Sequence, residues 1–105
     1  MGIEVGIWTG DVIPAGGVEY RAEASHVVSP EMYQDKTYPL LSGIDPYRNT
    51  IFNHLQMTRV IDELERRVET MDAGPRRRSV ETVLALARES RDDSGPHAYL
   101  VFVGD

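Results

Sequence analysis

The run His97-Ala98-Tyr99-Leu100-Val101-Phe102-Val103 carries no charge and is rich in aromatic and β-branched residues. A strand covered on both faces reads this way, because neither of its two alternating sets of side chains meets water. This run therefore predicts a strand lying centrally in a sheet, and the rest of the chain is read outward from it. Immediately before it, Arg91-Asp92-Asp93-Ser94-Gly95-Pro96 is a hydrophilic turn.

Upstream of that turn the apolar period changes from two to about 3.6. Val80, Val83, Leu84 and Ala87 share one face of a helix expected to start at Ser79, whose hydroxyl is a good cap. Val60, Ile61, Leu64, Val68 and Met71 form the stripe of a stronger helix, with Thr58 as N-cap or a start as early as Asn53. On its wet side Asp62 with Arg66 and Glu63 with Arg67 are acid-first pairs at i,i+4. Asp72-Ala73-Gly74-Pro75 separates the helices, since glycine accepts a left-handed cap and proline cannot continue the ladder. So short a connection predicts antiparallel neighbours.

At the other end Ile3, Val5 and Ile7 alternate with Glu4, Gly6 and Trp8, a strand over residues 2–9 expected to pair with the last one. Glycines and a proline interrupt regular structure over residues 10–17. Val18, Tyr20, Ala22 and Ala24 then alternate with polar residues as a second strand. Ser29-Pro30-Glu31 has the chemistry of a helix start, yet Pro39 leaves room for about two turns at most. Residues 35–53 read as a long connection with a short strand from Thr37 to Leu41. The expected fold is α+β: one domain over residues 1–105, a small and mainly antiparallel sheet with two helices packed on one face.

The chain has 105 residues, 11 Lys+Arg against 17 Asp+Glu, and a net charge of −6. That field repels phosphate backbones, and the one basic concentration, Arg76-Arg77-Arg78, has no aromatic residues interleaved for stacking. Nucleic acid is therefore not an expected partner. Hydrophobic residues at 41% and charged ones at 27% exclude wholesale disorder. There is no cysteine, hence no thiolate nucleophile, disulfide or cysteine-held metal. With no basic leader and no long apolar run, a soluble cytoplasmic protein is expected, and no membrane partner.

The densest polar group is Asp45-Pro46-Tyr47-Arg48-Asn49-Thr50-Ile51-Phe52-Asn53-His54-Leu55-Gln56, just before the long helix. As a recognition loop it offers Tyr47 and Arg48, residue types that dominate interface energies, with Asp45 and His54 beside them and Asp35 a further acidic contact. Read structurally, Asp45-Pro46 is a turn, Asn49 or Asn53 a cap, and Ile51, Phe52 and Leu55 core contacts. His26, His54 and His97 have no metal-ligand spacing, and neither a G-x-S-x-G elbow nor a phosphate-binding glycine loop occurs. No catalytic residue, metal or cofactor is assigned. Trp8, Tyr33, Tyr38, Tyr47 and Tyr99 would mark an interface if several met on the surface.

Through the Asp45-Pro46-Tyr47 to Gln56 stretch and the ending Tyr99-Leu100-Val101-Phe102-Val103-Gly104-Asp105, the chain resembles small uncharacterised bacterial proteins. In size, acidity and lack of catalytic signature it is similar to immunity proteins. That resemblance implies a non-enzymatic module that neutralises a basic partner or toxin by binding it. Residues 1–57 hold seven acids and three bases, so the loop-rich half carries most of the excess charge available for steering such a partner. Two other readings stand beside it. One is a small enzyme or small-ligand protein with its site between the 45–56 loop and the sheet, using His54 or His26 as acid or base. The other is a homo-oligomer joined through a strand edge or the main helix.

Overall fold

The structure is a computed structural model and describes residues 2–9 and 20–104. The expected interruption over residues 10–17 and the first residues of the second expected strand lie outside the described residues. Among the described residues the strands and α-helices follow in the order β1 (Glu4–Thr9), β2 (Ala22–Glu23), β3 (Asn49–Phe52), α1 (Met57–Glu69), α2 (Pro75–Asp92) and β4 (Ala98–Val103). The strands form one antiparallel sheet in the order β2-β1-β4-β3, so the uncharged last strand is interior and the first strand pairs with it. The α+β arrangement expected from the sequence is the one observed.

Register sorts the sheet into two faces, because alternate side chains point opposite ways. In one set of rows Val5 and Thr50 oppose Phe102, while Ile7 and Phe52 oppose Leu100. Val5, Phe52, Leu100 and Phe102 join the core with Val60, Ile61 and Leu64 of α1 and Val80, Val83 and Ala87 of α2. Both helices therefore cover this face. Phe52 and Phe102 meet edge to face at 5.9 Å, an arrangement the ring quadrupoles favour.

The expected short strand at Thr37 to Leu41 does not form. A 3-10 turn, Leu41–Gly43, stands at its end, and the amides of Leu40 and Leu41 are taken by the Glu63 carboxylate at 2.9–3.2 Å. Amides spent on a side chain are lost to a strand ladder. Glu63 is thus buried, not on a wet face. Arg67 donates from Nε to the Val27 carbonyl and from Nη2 to that of His26, both at 3.1 Å, and Arg66 Nη1 donates to the Thr37 carbonyl at 3.2 Å. The expected pairing of these arginines with Asp62 and Glu63 gives way to bonds that strap residues 26–41 across the polar side of α1. Val27, Met32, Tyr38, Leu41 and Ile44 of this connection are buried, so the long loop is part of the core.

The first helical path starts at the earlier of its two expected positions, and the second helix starts ahead of its expected cap. Asn53 Oδ1 accepts from the Gln56 amide at 3.1 Å and Gln56 Oε1 from the Asn53 amide at 2.9 Å, so the helical path begins at Asn53 through a 3-10 turn, His54–Gln56, before α1. The second helix starts at Pro75, four residues before Ser79, whose hydroxyl donates back to the Pro75 carbonyl at 3.1 Å. Proline suits the first helical position because its missing N–H has no intrahelical partner there. Gly74 serves the start of α2 with φ +152°, backbone that side-chain-bearing residues rarely adopt. The end of α1 is closed by the Thr70 hydroxyl, which donates to the Arg67 carbonyl at 2.7 Å.

Candidate functional site

The segment from Asp45 to Gln56 contains an edge strand. Asp45 Oδ1 accepts from the Tyr47 amide at 2.8 Å and the Asp45 amide donates to Thr50 Oγ1 at 2.9 Å, which folds the turn that launches β3. The Gly104 amide holds the same turn from the far side, donating to the Arg48 carbonyl at 3.0 Å. A Cβ on Gly104 would press into the Pro46 carbonyl and lie 2.6 Å from the Arg48 nitrogen, so only glycine allows this approach.

Asp45, Tyr47 and Arg48 therefore share one turn, where Tyr47 is 63% exposed and Arg48 exposed. His54 lies beyond the far end of β3, half-buried, with its Nδ1 enclosed and without a hydrogen-bond partner among the described residues. Asp35 belongs to another segment, the end of a 3-10 turn, Pro30–Gln34, where its Oδ1 accepts from the Thr37 amide at 2.8 Å. That amide holds the Asp35 carboxyl below its ordinary range. Both Asp35 and Asp45 thus spend an oxygen on local turns. Of the three apolar residues expected in the core only Phe52 is buried. Ile51 is 43% and Leu55 89% exposed.

Ile51 belongs to the second face of the sheet, the one turned away from the helices. In its row Ile51 and Gly6 flank Val101; in the next, Trp8 opposes Tyr99, their ring centroids 5.8 Å apart; in the row on the other side, Glu4 and Asn49 flank Val103. Val101 is buried although it lies outside the core cluster, and Trp8 and Tyr99 are half-buried. Across β1 and β2, Glu4 stands directly opposite Glu23, two exposed carboxylates with no cation in ion-pair reach among the described residues. Like charges so placed are unfavourable to each other. An apolar band bordered by carboxylates is the result.

Two hollows lie elsewhere. One of about 260 Å³ sits beside Tyr33, Tyr47, Pro46 and Val28. There burial, reinforced by the neighbouring Asp45 and Tyr47, raises the Tyr33 phenol above its ordinary value. A larger cleft of about 600 Å³ opens between residues 25–30 and the α1–α2 turn, with His26, Arg67 and Arg76 in its walls. Sequence reading gave no sign of it, since its walls come from three separate segments. The sheet-face band left more trace: Trp8 and Tyr99 fall out of phase with the core alternation of their strands. Among the described residues no group of three His, Asp or Glu side chains is placed to hold a metal ion, and no helix is long and apolar enough to cross a membrane. No protein-family model, curated protein or solved structure matches the chain.

Proposed function

We propose that this chain is a non-enzymatic protein-binding module, an immunity-type inhibitor that takes a basic protein partner on the sheet face opposite the helices and along the β3 edge. The observation that supports it is the row of Ile51 beside Val101, continued by the tilted ring pair of Trp8 and Tyr99 and bordered by Glu4 and Glu23. Aromatic and aliphatic anchors exclude water at the centre of an interface, while rim charges steer encounter. A cationic rim on the partner would also relieve the repulsion between Glu4 and Glu23. Tyr47 and Leu55, exposed at the two ends of β3, extend the surface along the edge, where no strand pairs with the outer side of β3 among the described residues. On this reading the protein acts in a bacterial cytoplasm.

The test begins with affinity purification from the source cells, followed by measured binding of the protein recovered. A basic protein is expected at one-to-one stoichiometry, and Ile51→Asp should weaken its binding roughly a hundredfold, as loss of a central anchor does. Glu4→Lys should slow association, with less effect at high salt. Unchanged affinity in Ile51→Asp would overturn the assignment of the face. A dimer of the purified chain that Ile51→Asp dissociates, measured by light scattering, would favour self-association through the same edge.

A further inference from the structure

We propose that the cleft between residues 25–30 and the α1–α2 turn binds a small organic oxyanion, a phosphate monoester or carboxylate attached to an apolar body. At about 600 Å³ the cleft has the size of a small-molecule site. It shares no residue with the sheet-face band or with β3, so the inference is independent of the protein-binding reading.

Three features converge on an anion. The Arg67 guanidinium is held in place by the Val27 and His26 carbonyls, which use two of its five donors. A cation fixed in advance loses little side-chain freedom when it binds. Arg76, which also lines the cleft, makes no hydrogen bond or ion pair among the described residues. Finally, α2 opens with Arg76, Arg77 and Arg78 and no acidic residue in its first turn, and its N-cap, Gly74, has no side chain to cap its amides. Positive side chains at the positive end of a helix oppose its dipole. In a chain of net charge −6 this is the place where cations gather, and an oxyanion there would reverse the penalty. Asp72 also lines the cleft, but two guanidiniums outweigh it. Val28, Met71 and Pro75 supply the apolar wall against which the body of such a ligand would rest.

The test is NMR titration of the isotope-labelled full chain with phenyl phosphate, benzoate and inorganic phosphate. Saturable shifts are expected at amides of residues 25–29 and 73–77 with phenyl phosphate, benzoate or both, and the stronger of the two identifies the head group. Inorganic phosphate should bind more weakly because it lacks the apolar body. Arg76→Glu should weaken binding at least roughly tenfold, as loss of a charge-assisted bond does. Because it places an acid at the start of α2, it should leave the chain as stable as before or more so, which separates lost binding from lost folding. Arg59→Glu, at the opposite end of α1 from the cleft, alters the net charge equally and should leave affinity within about twofold. Absence of saturable shifts with all three probes, or equal losses in the two variants, would overturn the proposal. Equal affinity for inorganic phosphate and phenyl phosphate would overturn the apolar wall.

Discussion

Glu63 shows how much a single side chain can hold together. Its carboxylate is 2% exposed and accepts from the Leu40 and Leu41 amides, so it fixes the middle of the long connection against α1. Burying a carboxylate is costly unless hydrogen bonds replace its hydration, and these two amides do so here. Glu63→Ala would strand both donors in the interior, and a loss of about 2–4 kcal/mol is expected in urea unfolding. Glu63→Gln keeps an accepting oxygen and should lose less; equal losses in the two variants would contradict the role given to the carboxylate. In sequence Glu63 reads as the mate of Arg67 one turn on. The loop that covers it lies more than twenty residues upstream, and no helical period reports which segment will cross a polar face.

At the scale of elements, strongly periodic segments were legible and short irregular ones were not. Both helices and the inner strands β1 and β4 carry unbroken apolar patterns, and these set the architecture. β3 has only four residues, two of them Asn49 and Thr50, and it sits on an edge where one side of the backbone needs no partner. Such a strand has no alternation long enough to show, so in sequence this edge of the proposed interface reads as a loop. Tyr47 and Arg48 were legible as exposed side chains on a turn; that Ile51 shares a face with Trp8 and Tyr99 required the register. The junction between β3 and α1 depends on Asn53, whose side chain accepts from the Gln56 amide. Asn53→Ala removes that acceptor, and a destabilisation of about 1 kcal/mol is expected by thermal denaturation. Asn53→Asp, which keeps an acceptor near the helix start, should recover most of it.

For the whole molecule, surface charge makes a statement about acid. The helical part, residues 58–105, holds ten acids and eight bases, and several of these reach across elements. Arg88 of α2 meets Glu65 of α1 at 2.9 Å, and Arg21, next to β2, meets Glu89 of α2 through two hydrogen bonds, one of 2.8 Å. The Arg21 guanidinium holds the Glu89 carboxyl below its ordinary value of 4.5, as the Ser29 hydroxyl does for Glu31, and Arg91 holds the Asp92 carboxyl below its ordinary 3.8. A carboxyl depressed in the folded state binds its proton more readily when unfolded, so its stabilisation is complete above the unfolded value and is lost as pH falls through the folded one. The urea midpoint should therefore hold between about pH 7 and pH 5 and decline below about pH 4.5. Each of these groups is exposed and screened by solvent, so the decline should be gradual and smaller in high salt. Glu89→Gln removes a carboxyl that ties the β2 edge to α2. Its midpoint should lie below that of the parent near neutral pH and converge with it in acid, whereas parallel curves over the whole range would show that Arg21 gains nothing from the charge.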